Sequence, residues 1–203
     1  MFDDTYLTIE EKAQGLYKEK GSRFISFAFP VTKEEEVKEI IKDIKKEYFD
    51  ARHHCYAYIL GHDKSAYRMN DDGEPSSTAG KPIYGQLLSK DLTNILIVVV
   101  RYFGGTKLGV SGLIQAYKHA AIDALNNTSI IEKTVDEIYS VSFEYVLMND
   151  VMKVLKEFDV LQMNHRFEND CYLEFRTRKL NSIKIVDNLN SIEGVRVEFL
   201  SLI

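Results

Sequence analysis

The densest chemistry in this chain lies in two strings, "DDGEPSSTAGKPI" at residues 71–83 and "RYFGGTKLGVSGL" at residues 101–113. The first offers the carboxylates Asp71, Asp72 and Glu74 and the hydroxyls Ser76, Ser77 and Thr78, with no hydrophobic period. Carboxylates so grouped could hold a hard cation such as Mg²⁺. Their spacing is not that of a calcium-binding loop, and a solvated loop capped by its own side chains accounts better for the pattern. The second string places Gly104, Gly105, Gly109 and Gly112 between a buried strand and a helix. Glycine permits positive φ and close approach of backbone N–H groups to a ligand. A helix N-terminus adds unpaired N–H groups and the positive end of the dipole. Arg101 and Lys107 bring full charges, and Lys81 lies at the end of the first string. The spacing is neither the dinucleotide fingerprint nor the P-loop. An anion site and a tight strand-to-helix turn are therefore both open readings. On the anion reading, replacing Arg101 and Lys107 together should leave the fold intact.

A third string, "RHHCYAY" at residues 52–58, alternates like a strand. His53 and Cys55 share one face, and His54 and Tyr56 the other. A Cys-His pair could supply nucleophile and base. No further His or Cys lies near in sequence to complete a zinc site. A packed cysteine beside a structural or surface histidine is expected, with no metal, no cofactor and no catalytic residue assigned.

The elements that must hold these strings follow from periodicity. Residues 16–31 are strand-forming around Gly21 and Ser22. Val37, Ile40, Ile41, Ile44 and Tyr48 recur at helical spacing, with Thr32 and Glu35 in the positions of a capping box. "SAYRM" is a short strand, and Pro82 fits the first turn of a helix over "PIYGQLLSK". "TNILIVVVRYF" reads as a strand covered on both faces. The next helix buries Leu113, Ala116, Tyr117, Ala120, Ala121 and Ala124. After "TSIIEKT" a second pattern starts: a strand with Val141, Phe143, Tyr145 and Leu147 on one face, a helix, two strands, a helix and the strand "GVRVEFLSLI". This βαββαβ order is the ferredoxin-like plan. The expected domains are residues 1–134 and 135–203, in an α+β chain.

Composition sets the outer limits. Of 203 residues, 45% are hydrophobic and 28% charged, as in a globular protein. The longest aliphatic run, "ILIVVV", is far short of the ~20 residues that span a bilayer. The acidic N-terminus has no apolar signal core. Cys55 and Cys171, far apart, read as reduced thiols. Together these point to the cytoplasm and away from membranes. The net charge of −5 excludes a uniformly polybasic nucleic-acid binder, yet residues 76–118 carry a local net +4 and residues 135–203 a net −4.

"KGSRF" (20–24), "RHHCYAY", "DDGEPSSTAGKPI" and "VVVRYFGGTKLGVSGLIQAY" (98–117), in that order, resemble the Impact/YigZ family in its bacterial two-domain form. The resemblance implies a first domain like those of a small-subunit ribosomal protein and elongation factor G, with a left-handed βαβ crossover, and a ferredoxin-like second domain. It implies a non-catalytic regulatory role associated with translation: eukaryotic members act during amino-acid starvation by binding a ribosome-associated co-activator of a kinase. RNA, the ribosome or a ribosome-associated factor are the partners it suggests. The expected anion, RNA or partner site comprises Arg101, Gly104, Gly105, Lys107, Gly109, Gly112 and Lys81. A shared surface patch would add Asp71, Asp72, Glu74, Ser76, Thr78 and His54. The chain departs from the family pattern at Ser77 and Ser111, where Gly is usual, and at Gln115, where Arg is usual. The alternative is an enzyme acting on a small phosphorylated or nucleotide substrate at the glycine turn.

Overall fold

The computed structural model describes residues 4–202. The chain divides into two units: Tyr6–Lys133, and the residues from Thr134 onward together with Asp4 and Thr5.

The first unit is built on β6 (Ile95–Tyr102), whose residues Ile95 to Val100 are all fully buried. Ile95, Ile97 and Val99 face a core shared with α2 (Gly80–Ser89) and α3 (Gly109–Asn126). Leu96, Val98 and Val100 face a second core under α1 (Glu34–Glu47). The unbroken aliphatic run follows from this double cover. Around β6 lie β2 (Ala13–Glu19), β3 (Ser22–Pro30), β4 (His53–Leu60) and β5 (Ala66–Asn70), in the order β2-β3-β6-β4-β5. β3 and β4 are each antiparallel to β6. They are therefore parallel to each other, with β6 between them and α1 as their crossover. All six residues expected along the α3 stripe are buried.

Several local readings change. The hairpin turn is Lys20–Gly21, both at positive φ, so Ser22 opens β3 instead of sitting in the turn. Positive φ at both centres is the hairpin geometry that matches strand twist. α1 begins at Glu34, one residue later than a Thr32 cap requires, and Glu36 rather than Glu35 accepts from the Thr32 backbone N–H at 2.8 Å. Two strands unmarked in the sequence, β1 (Thr5–Ile9) and β7 (Ile130–Thr134), pair as a separate small sheet. Each is five residues long and neither alternates cleanly, so propensity alone does not reveal them.

The second unit has β8 (Asp136–Glu144), α4 (Met148–Glu157), β9 (Leu161–Arg166), β10 (Asp170–Arg178), α5 (Lys179–Asn190) and β11 (Arg196–Leu202). Its antiparallel sheet runs β11-β8-β10-β9, the ferredoxin-like order. Val141, Phe143, Leu173 and Phe175 pack on Val151, Leu155, Ile185 and Leu189. Tyr145 does not continue the β8 face: the chain turns into one 3-10 turn there, and Tyr145 is 62% exposed. Asp4 belongs with this unit because its carboxylate accepts from Arg178 Nε at 2.6 Å and Nη2 at 3.0 Å. The final residue of the expected last strand, Ile203, and the first three residues of the acidic N-terminus lie outside the described residues.

Candidate functional site: a cleft between the acidic loop and the glycine turn

The two-residue period of β6 that buries Ile95, Ile97 and Val99 carries on to Arg101. Arg101 therefore emerges on the α2–α3 face, opposite Phe24 on β3 and His53 on β4. Its guanidinium carbon lies 5.4 Å from the Phe24 ring centroid and 5.7 Å from that of Phe103. Arg101 Nη1 donates to Glu74 Oε1 at 2.6 Å, and both side chains are over nine-tenths buried. Tyr117, inward-facing on α3, donates its hydroxyl to the same oxygen at 2.7 Å. Cys55 Sγ lies 3.3 Å from that hydroxyl and 3.0 Å from the Asp71 carbonyl oxygen. Burial pushes the Cys55 thiol and the Tyr117 phenol well above their ordinary ranges. Both are protonated partners in a network that joins the acidic loop, β4, β6 and α3.

The three acids of the loop are occupied in three different ways. Asp71 accepts from the backbone N–H groups of Ser77 at 2.8 Å, Ala79 at 3.0 Å and Gly80 at 2.8 Å, and so caps the start of α2. Asp72 accepts from the His54 N–H at 2.7 Å and from Lys45 Nζ at 3.0 Å. Burial would raise its carboxyl, but the His54 N–H and Lys45 outweigh this and hold it below the usual carboxylate range. Glu74 is committed to Arg101 and Tyr117. With each carboxylate turned to its own partner, the acids do not converge. Among the described residues no group of three or more His, Cys, Asp or Glu is placed to hold a metal.

The rest of the loop is shaped to fit. Asp72, Gly73 and Ser77 have φ of 40°, 87° and 63°. Ser77 thus sits in the left-handed region, where the family pattern has glycine, and its N–H is one of those Asp71 receives. His53 Nδ1 is 2.9 Å from the Asp72 carbonyl oxygen, and His54 Nε2 is 3.0 Å from that of Tyr48. A carbonyl only accepts, so each of these nitrogens carries the proton.

Beyond Arg101 the chain passes over the first hairpin. Gly104 N–H donates to Ser22 Oγ at 3.1 Å. A Cβ at Gly104 would lie 1.9 Å from the Gly21 carbonyl carbon, so only glycine permits this approach. Gly105 and Gly109 have φ of 88° and 73°. They turn the strand into α3, whose first N–H groups have no intrahelical acceptor.

Between the two loops lies an open cavity of about 500 Å³. Arg52, His53, Lys107 and Gly109 line it, with Arg101 and Glu74 also on its wall. Phe103, Leu108, Val110, Leu113 and Pro75 supply the apolar surface. Of the residues marked in the sequence, His53, Arg101, Lys107, Gly109 and Glu74 meet here. Gly104, Gly105, Gly112 and Lys81 do not line the cavity, and neither do Asp71, Asp72, Ser76 or Thr78. Two expectations need correction. His54, Glu74 and Thr78, assigned to a surface patch, are 6%, 8% and 1% exposed, held respectively by the Tyr48 carbonyl, by Arg101 and Tyr117, and by the Pro75 carbonyl. Arg101, expected to be replaceable without cost to the fold, is a buried partner of Glu74, so its loss would strand a buried charge. Arg52 and Phe103 were missed. An aromatic side chain in a string otherwise made for turning was the available signal, and the structure leaves Phe103 56% exposed.

The comparisons with known proteins agree with this architecture. Residues 20–125 match the Impact N-terminal domain. The chain is 37% identical to the IMPACT family member YvyE of Bacillus subtilis, over 85% of this chain and 79% of that one. It is 35% identical to the IMPACT family member YigZ of Escherichia coli, over 73% and 74%. The crystal structure of a protein described as hypothetical superposes with a TM-score of 0.75 at 28% identity, covering 98% of both chains. With the profile and the relatives in agreement over most of its length, the chain belongs to the IMPACT family.

Proposed function

We propose that this chain is a non-catalytic, translation-associated regulatory protein of the cytoplasm, contacting RNA, the ribosome or a ribosome-associated factor through the cleft of its first unit. The observation that carries the reading is the cleft itself. Arg52, Lys107 and the N-terminus of α3 present positive charge on an apolar wall, while Glu74, the acid lining it, is neutralised by Arg101. The link to translation rests on kinship with eukaryotic family members that regulate it.

The test is co-sedimentation of the purified protein with ribosomes over a range of salt. Binding is expected to weaken with salt, because phosphate contacts release counterions, and only shallowly, because so small a cleft reaches few phosphates. Arg52→Ala with Lys107→Ala should weaken binding without unfolding the protein, since both side chains are exposed. Undiminished binding by a folded double variant would remove the cleft from the interaction.

The alternative, an enzyme acting on a phosphorylated or nucleotide substrate, is favoured by one observation: His53, a residue type that serves as general base, lines the cleft with its Nδ1 held by the Asp72 carbonyl. Turnover of a generic phosphoester that disappears in His53→Asn would establish it over the binding role.

A further inference from the structure

Resting on that reading, we infer that the cleft accommodates one unpaired nucleotide of single-stranded RNA, its phosphate at the α3 N-terminus beside Lys107 and its base against Phe103. Three independent observations meet in the one cavity. The first is the helix start. α3 has 18 residues, and its opening residues Gly109 and Val110 line the cavity, where unpaired N–H groups and the dipole attract an anion. The second is Arg101. Its side chain is 92% buried and lines the same cavity, yet Nε has no hydrogen-bond partner among the described residues. Buried donors without acceptors are rare in folded proteins. Nε itself is closed to solvent, so a phosphate oxygen in the cavity would reach it by parting the wall beside the Glu74-bound edge of the same guanidinium. The third is Phe103, which stays 56% exposed while Arg101 sits 5.7 Å from its ring centroid. A ring held against a guanidinium and open to solvent is a stacking platform for a base.

The charge and size of the cleft narrow the ligand. Arg52, Arg101 and Lys107 against Glu74 leave the lining with an excess of two positive charges. The volume of about 500 Å³ suits one nucleotide rather than a duplex groove. A bare phosphate would leave the apolar wall unused, and an apolar peptide would leave the cations and Arg101 Nε unused. A planar base joined to a phosphate engages both. The chain's net charge of −5 argues against a long electrostatic track along nucleic acid, so recognition centres on this one unit.

The experiment is a fluorescence-anisotropy titration of a 12-residue oligouridylate, with free UMP as competitor, against the parent protein and three variants at several salt concentrations. Phe103→Ala should weaken the oligomer about tenfold, the effect of losing one stacked base, with the salt slope unchanged. Lys107→Ala should reduce the slope of log affinity against log salt by about 0.7, one single-strand phosphate. Lys38→Ala, an exposed cation of α1 on the opposite face of the sheet, should change affinity less than twofold. UMP should compete at least tenfold more weakly than unlabelled oligomer. Equal competition by UMP would overturn the strand in favour of a free nucleotide. Undiminished oligomer binding by folded Phe103→Ala would overturn the stacked base. If the oligomer does not bind while ribosomes still co-sediment, the nucleotide pocket fails and the translational reading stands. If neither binds, both fail.

Discussion

Ser77 is a side chain at odds with its backbone. Its φ of 63° places a residue with a Cβ in the left-handed region. That conformation costs roughly 1–2 kcal/mol for an ordinary residue, whereas glycine gives back about 0.5–1 kcal/mol in backbone entropy. Ser77→Gly should therefore stabilise the protein by about 0.5–1 kcal/mol, as read by urea denaturation. Because the Ser77 N–H still reaches Asp71, the gain should come without loss of the α2 cap. Arg101 works in the opposite sense. Arg101→Met strands Glu74 as a buried charge, and removing one member of such a pair costs about 3–5 kcal/mol. Adding Glu74→Gln should recover much of that loss, and a double variant no more stable than the single would mean that Glu74 finds another partner. Asp72 supplies a pH dependence. Its folded carboxyl titrates below the usual range, so its contribution is complete above the ordinary aspartate value near 4 and is lost as pH falls through the lowered one. The stability gap between the parent and Asp72→Asn should be constant from pH 5 to 7 and close below pH 4. A gap unchanged at pH 3 would assign the effect of Asp72 to packing.

At the scale of elements, the contact between the glycine turn and the first hairpin is the least forgiving. The Cβ of Gly104→Ala would strike the Gly21–Ser22 backbone, which cannot rotate away. Overpacking of this kind costs about 1–3 kcal/mol or more. A midpoint of denaturation equal to the parent's would show that the hairpin can shift. Elements were legible where one period dominates: "ILIVVV" announced a doubly covered strand, and Leu113 to Ala124 a helix stripe. The site was only half legible. The strings showed that Glu74, Arg101 and Lys107 were unusual. They could not show that Arg101 points inward, because that depends on the parity of β6 against β3 and β4, over 40 residues away in sequence. Glycine content likewise did not distinguish Gly104, which answers to a neighbouring backbone, from Gly105 and Gly109, which answer to φ. β1 and β7 escaped because each is specified by its partner.

For the whole molecule, contacts divide the chain into two units, and whether each can be perturbed alone is open to test. Asp4 lies at the start of the chain but holds Arg178, at the β10–α5 junction. Asp4→Ala should speed amide hydrogen exchange in β10 and α5 and leave β6 protected. Uniform acceleration across both units would show that they unfold together.

The position of β6 has one more consequence, for the order of events as the chain is made. β3 and β4 are finished by residue 60, yet in the native sheet they never touch; each waits for a strand that ends at residue 102. A nascent first unit therefore carries two open strand edges for some 40 residues of synthesis, and open edges invite pairing with other chains. The late-arriving strand is also the most apolar in the protein, bounded by Lys90 and Asp91 before it and Arg101 at its end, charges that discourage self-association. Arg101 thus guards the chain before it ever meets Glu74. A fragment ending at Asn94 should aggregate on expression, whereas one ending at Lys133 should remain in solution, because only the second can fill the gap.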